Sequence, residues 1–397
     1  MRLAFVADGR SPIARSWIEY FLQGGDRVHL ISTRSCAGMN GLASLEIVPL
    51  WPRAGGAAGG GRRQRNLQAL TAVRHWFGPL FVARRASMLR GILGELDLDV
   101  VHAMRLPFEG MLAAAANPAA PLVISLWGND LTLHATSTPL MRWATWRALR
   151  RATALFADCR RDLRLAERWG FRPGLPSIVT PGNGGVRREL FYPGRREQDP
   201  DFGLPAAAPI VVQPRGLRAY VRNDIFFRSI PHVRQRVPEA IFVCPAMEGA
   251  AEADSWRDRL GLGRELRLLP SLDPSSMAAL FRRAAVSISP STHDGTPNTL
   301  LEAMACGCLP VAGDLESIRE WIQDGENGLL VDPTSEQAVA EGVLRGLTDA
   351  GLRGRASRMN AGLVADRADY ALQMPRVASF YEEVLRGQVG MMKRGWG

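Results

Sequence analysis

Short apolar runs recur along the chain, and a stretch of helical character separates each from the next. The first two runs, "LAFVAD" and "RVHLIST", flank the helical segment "SPIARSWIEYFLQGGD". In that segment Ser11 is a candidate N-cap, Pro12 stands at the first helical position, and Gly24 marks the end. Strand, helix and strand in alternation predict a parallel, doubly wound α/β sheet.

The alternation occurs twice, which predicts two domains. It continues through "LDVVHAM", "APLVISLWG", "TALFADC" and "SIVTPGN", breaks after Phe191, and restarts with "APIVVQP", "EAIFVCP" and "AVSISPS". A chain of 397 residues also exceeds what one core usually serves. We therefore predict two Rossmann-like domains, residues 1–192 and 205–366, joined by a linker over 193–204, with a C-terminal helix over 367–397 crossing back to the first domain. We expect the two domains to face a central cleft, because ligands bind at the carboxyl ends of strands in such sheets.

The hydropathy of the chain argues against a membrane span. The most apolar stretch, residues 111–127, is broken by Asn117, Pro118 and Pro121. The N-terminal apolar run is interrupted at Asp8, too early for a signal peptide. The five cysteines form no C-x-x-C pair, so we expect reduced thiols and a cytoplasmic protein.

The charge pattern indicates an anionic partner. The net charge is +10, and residues 47–94 contain eight arginines and no acid. Trp51, Trp76, Phe77 and Phe81 are interleaved with these arginines, a mixture typical of the interface of an anionic membrane. We expect peripheral binding to the inner face of the cell membrane; the alternative is a solvated insertion around "RAGGAAGGGRR".

The stretch "HDGTPNTLLEAMACGCLPVAGD", from His293 onward, places two acids around a helix start. Thr296 is expected to cap a helix that begins at Pro297, so that Asp294 lies in the loop before it and Glu302 about one and a half turns inside. A helix N-terminus with free N–H groups is an anion site suited to phosphate. The candidate donor-binding residues of this segment are Gly295, Thr296, Asn298, Thr299 and Leu300.

This arrangement resembles the E-x7-E signature of the retaining glycosyltransferases of family 4, which have the GT-B fold. The resemblance is close over residues 289–333 and thinner over the rest of the chain. It implies that Asp294 binds hydroxyls of the donor sugar near the reacting carbon, and that Glu302 holds the ribose. The first acid is Asp where the family usually has Glu, which leaves the identity of the donor sugar open.

A diphosphate leaving group develops negative charge, which a metal or fixed cations must meet. Arg215 and Arg222, which follow the run "PIVVQP", resemble the Arg and Lys/Arg pair with which the family grips the diphosphate. Arg218 is the alternative to Arg222. The metal-binding pattern D-x-D occurs as "DLD" at residues 97–99, at the wrong end of a strand, and as "DPD" in the linker at 199–201. We therefore expect no metal and no cofactor besides the nucleoside diphosphate sugar, which is the donor substrate.

In the first domain, Gly9 and Ser11 are expected to let the backbone approach the donor phosphates. The acceptor should lie at the strand ends of "VVHAM" and "SLWGND". The family often has histidine where Met104 and Trp127 stand, so a histidine role does not transfer to these positions. The acceptor-side candidates are Trp127, Asn129, Asp130 and His102.

The sequence thus predicts a retaining, metal-independent glycosyltransferase that acts on a hydroxyl acceptor in glycolipid or cell-surface polysaccharide synthesis. Two carboxylates would also suit a glycoside hydrolase, and the fold would suit a sugar-nucleotide epimerase. A basic, non-enzymatic binding protein is a further alternative, although no nucleic-acid-binding module is present. The base, the sugar, the acceptor and the oligomeric state stay open.

Overall fold

The computed structural model describes residues 1–50, 62–194 and 197–394, excluding the side chains of 62–72, 183 and 388–394. The chain divides into two compact units. Unit 1 comprises Met1–Gly184 together with Leu372–Gly397, and unit 2 comprises Gly185–Ala371. Of the predicted linker, residues 195 and 196 lie outside the described residues, and the others fall within unit 2.

Unit 1 is built on a seven-stranded parallel sheet with strand order β3-β2-β1-β4-β5-β6-β7. Its strands are β1 (Arg2–Ala7), β2 (Arg27–Ser32), β3 (Ser44–Ile47), β4 (Val100–Ala103), β5 (Leu122–Leu126), β6 (Ala154–Ala157) and β7 (Ser177–Val179). Its helices are α1 (Pro12–Gln23), α2 (Arg62–Gly94), α3 (Met111–Ala116), α4 (Pro139–Arg151) and α5 (Arg160–Arg168). Irregular helical turns span Leu106–Gly110 and Asp130–His134.

Unit 2 is built on a six-stranded parallel sheet with strand order β10-β9-β8-β11-β12-β13. Its strands are β8 (Ile210–Val212), β9 (Ile241–Cys244), β10 (Leu266–Leu268), β11 (Val286–Ser289), β12 (Leu309–Gly313) and β13 (Leu329–Val331). Its helices are α6 (Asn223–Arg236), α7 (Ala251–Arg259), α8 (Pro274–Arg283), α9 (Asn298–Ala305), α10 (Glu336–Thr348) and α11 (Ala350–Ala368). The last helix, α12 (Tyr370–Arg394), belongs to unit 1 from Leu372 onward.

Both sheets are covered on their two faces, as the short apolar runs predict for buried parallel strands. Along β8, Val211 packs into one hydrophobic cluster, whereas Ile210 and Val212 pack into another. Successive side chains of a strand point to opposite faces, so unit 2 has a core on either side of its sheet. In β1 of unit 1, Ala4 and Val6 belong to one hydrophobic cluster, and the alternate residues Leu3 and Phe5 are buried on the other face. The predicted doubly wound fold is confirmed, and so is the start of α1, where the Ser11 hydroxyl accepts from the N–H of Ala14.

His102 lies in the core of unit 1, which corrects the expectation that it faces the acceptor. Its ring is 1% exposed and packs against Trp17 and Phe156. One ring nitrogen bonds to the Tyr381 hydroxyl of α12 and the other, at 2.8 Å, to the hydroxyl of Ser125. Burial lowers the pKa of His102 to about 3, so the ring is a neutral bridge between two hydroxyl groups.

Candidate functional site

Helix α9 begins one residue later than predicted, and Thr296 does not cap it. Pro297 is the N-cap residue and offers no side-chain acceptor. The Thr296 hydroxyl instead accepts from Trp321 Nε1 at 3.1 Å in a buried position, which fixes the loop before the helix. The N–H of Leu300 was expected to be free for a ligand, but it donates to the carbonyl of Pro297 at 3.0 Å.

The first turn of α9 retains two open donors. Among the described residues, the backbone N–H groups of Asn298 and Thr299 have no hydrogen-bond partner, and both residues are half-buried. These groups stand at the positive end of the helix dipole. The N-terminus of α9 can therefore bind an anion, as predicted for two of its three amides.

The loop that carries Asp294 is tightly anchored. The hydroxyl of Ser317 donates to the carbonyl of Asp294 at 2.7 Å, and the N–H of Thr292 donates to the carbonyl of Tyr220 at 2.8 Å. At the end of β12, a Cβ on Gly313 would lie 2.2 Å from the carbonyl oxygen of Ser291, so only glycine fits there. Gly295 is buried in this same loop. The backbone around Asp294 thus has little freedom to move.

Arg215 and Asp294 form a buried ion pair. The guanidinium of Arg215 lies 3.0 Å from the Asp294 carboxylate, and their side chains are only 9% and 12% exposed. Burial disfavours the charge on Arg215, but Asp294 and Tyr220 more than offset this, and the pKa of Arg215 is raised. The N–H of Arg215 donates to the buried Gln213 side chain at 2.9 Å. A fixed cation therefore stands beside the first predicted acid.

Glu302, the second predicted acid, is half-buried in α9. Desolvation raises the pKa of its carboxyl to about 7, although the charge of Arg215 opposes the shift. Among the described residues, the causes of this shift are burial and the charge of Arg215, and no side-chain hydrogen bond to the carboxyl contributes. We call the group of Arg215, Asp294, Glu302 and the N-terminus of α9 the Asp294–Glu302 site. Its two carboxyl groups can accept hydrogen bonds from ligand hydroxyls on both sides of an anion site.

The structure separates the two candidates for the second diphosphate cation. Arg222 forms two bonds of 2.9 Å to the carboxylate of Asp224. Arg218 donates to the Tyr220 hydroxyl at 3.0 Å, and Arg215 approaches the same hydroxyl at 3.5 Å. Arg218 is thus the arginine that the structure brings beside Arg215, whereas Arg222 is engaged by its neighbour two residues on. Tyr220, which links the two arginines, was not among the predicted residues.

A cavity of about 300 Å³ lies in unit 1 at the carboxyl ends of its central strands, and we call it the unit 1 pocket. Trp127, an acceptor-side candidate, lines it, and so does Ser11, a candidate for the donor phosphates. Gly9 does not: its N–H donates to the Ser32 hydroxyl at 3.0 Å, and a Cβ there would lie 2.5 Å from the Cys36 sulfur. Gly9 therefore serves packing, and its N–H is already bonded.

Asn129 and Asp130 lie beside the unit 1 pocket rather than in its lining. Both accept from Arg105, which lines the pocket, and each distance is 3.0 Å. Asp130 is fully buried, and desolvation raises the pKa of its carboxyl to about 6. These two residues therefore position Arg105. The polar residues predicted to face the acceptor contact the pocket only through this arginine.

Several charged residues of the pocket were not predicted. Glu109, which follows β4, accepts from the Thr33 hydroxyl at 2.8 Å, and burial raises the pKa of its carboxyl. Arg74 from α2 is partly buried, and desolvation together with the charges of Arg34 and Arg105 lowers its pKa. A lone acid or arginine on a distant segment carries no local signal, which is why sequence reasoning missed this group. The arginines of the lining are Arg10, Arg34, Arg74 and Arg105, and the rings of His75 and His134 also line the pocket.

Two doubly wound sheets and an acid–arginine–acid site at a helix N-terminus define a glycosyltransferase of the GT-B fold. Two family models match the chain: a glycosyl transferase 4-like domain over residues 9–182, and glycosyl transferases group 1 over residues 211–349. The chain belongs to this family and is a glycosyltransferase.

Curated relatives agree with this assignment. The D-inositol 3-phosphate glycosyltransferase 1 of Catenulispora acidiphila is 28% identical over 326 residues, covering 77% of this chain and 76% of that protein. The phosphatidyl-myo-inositol mannosyltransferase of Mycobacterium tuberculosis is 34% identical over 167 residues, 40% of this chain and 43% of the relative. This chain spans about half the length of three further inositol phosphate glycosyltransferases.

Solved structures share the fold. Sucrose-phosphate synthase from Thermosynechococcus elongatus superposes with a TM-score of 0.77 at 14% identity, covering 98% of this chain and 100% of that one. The Anabaena protein HepE, solved with UDP-glucose, has a TM-score of 0.72 at 18% identity over 96% of this chain and 100% of that one. At these identities the likeness concerns the fold alone.

Proposed function

We propose that the protein transfers a sugar from a nucleoside diphosphate donor to an acceptor hydroxyl with retention of anomeric configuration. The observation that carries the proposal is the buried Arg215–Asp294 ion pair beside the open N-terminus of α9, with Glu302 inside the same helix. This spacing of acid, anion site and acid fits a sugar, a diphosphate and a ribose in succession. The donor therefore binds at the Asp294–Glu302 site.

The diphosphate lies against Arg215 and the N–H groups of Asn298 and Thr299, where fixed positive charge meets the negative charge that develops on the leaving group. Glu302 accepts from the ribose hydroxyls, and Asp294 from the sugar hydroxyls. As the bond from the anomeric carbon to the diphosphate oxygen breaks, the acceptor oxygen attacks from the same face. The acceptor proton then passes to the departing diphosphate, which is the base nearest to that face.

We propose that this transfer proceeds without a metal ion at the D-x-D sequences. The carboxylate of Asp99 accepts from Arg2 at 2.6 Å, and Asp97 bonds to the same arginine. Asp199 forms a bidentate pair with Arg282 at 2.6 and 2.8 Å. Because arginines occupy these carboxylates, the cations that serve the diphosphate are those of the Asp294–Glu302 site.

One further group in the described part of the chain brings three potential metal ligands together: Asp158, Cys159 and Asp162. The guanidinium of Arg161 lies 2.7 Å from Asp162 and provides positive charge there. Burial raises the pKa of the Cys159 thiol well above its usual range, so the thiolate that a metal needs is disfavoured. We assign this group a structural role in unit 1.

A glycoside hydrolase fits the geometry less well. Such an enzyme needs one carboxyl as an acid and the other as a nucleophile or base. Here the carboxylate of Asp294 lies 3.0 Å from the guanidinium of Arg215 and is already engaged by it. The positive charge of an arginine beside the acids suits the binding of a diphosphate better than that of a neutral glycosidic oxygen. This agrees with the assignment of the chain to a glycosyltransferase family.

We propose that the acceptor binds in the unit 1 pocket and carries an anionic group. The arginines of the lining outnumber its acids, and one of those acids, Glu109, has a raised pKa. The names of the relatives include inositol 3-phosphate and phosphatidyl-myo-inositol, which are phosphate-bearing acceptors of this kind. An inositol-type or lipid-linked acceptor in glycolipid or cell-surface polysaccharide synthesis would fit the pocket.

A thermal-shift panel of UDP, GDP, ADP, dTDP and CMP tests the donor site, since a ligand that binds the folded state raises its Tm. We expect one diphosphate to stabilise the wild type and Glu302→Ala to lose the shift. Glu326→Ala, at an exposed position of the same unit, is the matched control. Absence of any shift in the wild type would refute the donor site.

A further inference from the structure

The exposed apolar surface of the described chain is concentrated in one place. Nine large apolar side chains of the described residues are exposed, and seven of them lie on α2 and α4 of unit 1. The seven are Val73, Trp76, Phe77, Leu80, Met88, Trp143 and Trp146. Single exposed apolar residues are common on soluble proteins, but a cluster on two helices indicates a binding surface.

Helix α2 has two apolar stripes, one buried in the core of unit 1 and one exposed to solvent. Its buried side chains in this part include Val82 and Leu89, which pack into the core of unit 1. On the solvent side, Trp76, Phe77 and Leu80 are each more than half exposed and follow one another at helical spacing. Of the predicted basic segment 47–94, residues 51–61 and the side chains of 62–72 lie outside the described residues. The visible part of α2 therefore has one stripe for the core and one for solvent.

Helix α4 was not singled out by its sequence, yet it presents the same combination of residues. Its buried face is made of small and apolar side chains, whereas Trp143 and Trp146 are 50% and 48% exposed. Arg147 lies over the ring of Trp143 at 5.3 Å, and Arg150 over that of Trp146 at 5.9 Å. No Asp or Glu occurs in residues 131–157. The outer face of α4 therefore consists mainly of indole rings and guanidinium groups.

The two helices touch each other. The hydroxyl of Thr138, the N-cap of α4, donates to the carbonyl of His75 in α2 at 3.1 Å. His75 also bonds through its ring to His134, just before α4, at 3.1 Å. We call the exposed side chains of α2 and α4 together, with Arg142, Arg147 and Arg150, the α2–α4 face. It lies on two helices of unit 1 that are hydrogen-bonded to each other, and it contains both apolar and cationic groups.

We propose that the α2–α4 face binds the surface of an anionic lipid bilayer. Tryptophan prefers the interface between hydrocarbon and water, where its ring is buried and its N–H stays hydrogen-bonded. Arginines on the same face bond to lipid phosphates, and the absence of acids avoids repulsion from an anionic leaflet. Among the described helices none is long and apolar enough to cross a bilayer, so this contact would be peripheral. The inference concerns unit 1 alone and does not rest on the proposed donor chemistry.

Co-sedimentation of the full chain with vesicles tests the inference. Vesicles of phosphatidylcholine are compared with vesicles that contain an equimolar amount of phosphatidylglycerol. We expect binding to the anionic vesicles only, and a weakening of about fivefold for each arginine removed in Arg147→Gln/Arg150→Gln. The matched control is Arg355→Gln/Arg358→Gln, which removes two exposed arginines of α11 in unit 2.

The apolar part of the face is tested separately. Trp143→Ser/Trp146→Ser should lose most of the vesicle binding and most of the tryptophan quenching by brominated lipids. Met359→Ser/Leu372→Ser, the two exposed apolar residues elsewhere, should behave as the wild type. An unchanged Tm in the absence of any ligand shows that each variant is folded.

Three outcomes would overturn the inference. The first is equal binding of the wild type and the Trp143/Trp146 variant to anionic vesicles. The second is no vesicle binding by a folded wild type. The third is a wild-type dimer in light scattering that the tryptophan variant abolishes, because the face would then be an interface between two copies of the chain.

Discussion

The Asp294–Glu302 site and the unit 1 pocket both lie at the carboxyl ends of parallel strands, but they are assembled differently. In unit 2 both acids come from one loop and the helix after it, and the cation beside them is already paired with Asp294. In unit 1 the lining comes from the ends of several strands and from α2, and the cations outnumber the acids. A site confined to one segment leaves a recognisable pattern in the sequence, whereas a site assembled from many segments can be recognised only in the structure.

Arg215 provides the largest test of this contrast. Arg215→Ala removes the buried cation that we propose for the diphosphate leaving group, and it leaves Asp294 without its ion pair. Loss of one such fixed group typically lowers turnover by about 10²–10³-fold. Initial rates with saturating acceptor measure the effect. The side chain of Arg222 is bound to Asp224, so Arg222→Ala should lose little turnover. An equal loss of turnover in both variants would mean that Arg222 is the second cation that contacts the diphosphate.

Glu302 has a signature in the pH dependence of stability. Its folded pKa of about 7 lies above the ordinary value of 4.5, so folding favours the protonated form. Wild-type stability should therefore fall as pH rises from 4.5 to 7 and remain low above that. Glu302→Gln lacks this penalty and should be more stable than the wild type at about pH 8, by about 1–3 kcal/mol.

Urea denaturation of both proteins at about pH 5 and about pH 8 measures this difference. At the lower pH the wild-type carboxyl is protonated and resembles an amide, so the two stabilities should converge. Glu326→Gln, at an exposed site, is the control and should show no such trend. A Glu302→Gln variant that is less stable than the wild type at both pH values would contradict the desolvated carboxyl.

The fold was predictable because its signals are local. Each buried strand is a short apolar run, and the cap at Ser11 with Pro12 after it identified α1 correctly. The cap at Thr296 was predicted wrongly, because its hydroxyl accepts from Trp321, a residue 25 positions away. No local rule distinguishes a threonine that caps a helix from one that accepts an indole N–H.

The same reason explains what was found and missed at the sites. Asp294 and Glu302 could be proposed from the sequence because their spacing relative to one helix start is a local signal. The engagement of Arg222 by Asp224 and the link from Arg105 to Asp130 depend on side-chain direction, which the sequence does not reveal. His102 shows the converse case, a polar residue at a strand end whose partner Tyr381 lies on the last helix.

Arg74 tests the unit 1 side of the comparison. Arg74→Gln removes a partly buried cation from the pocket, and a bond to a charged group is worth about 1.5–3 kcal/mol. We expect the KM for an anionic acceptor to rise by about ten- to a hundredfold, with the donor KM unchanged. Arg84→Gln, exposed on the same helix, is the control for loss of charge alone. An equal rise in both KM values would mean that the substitution disturbs the protein generally and that Arg74 has no specific role toward the acceptor.

The smallest expected effect separates positioning from stability within unit 2. The hydroxyls of Ser317 and Ser229 are both fully buried, and each donates to a backbone carbonyl at 2.7 Å. Ser317→Ala and Ser229→Ala should therefore each lower the free energy of unfolding by about 1 kcal/mol. Only the Ser317 bond holds the backbone of Asp294, so only Ser317→Ala should weaken nucleotide binding, by a few fold. Titration calorimetry at matched temperature measures this, and equal weakening in both variants would mean that the Asp294 loop keeps its geometry without that bond.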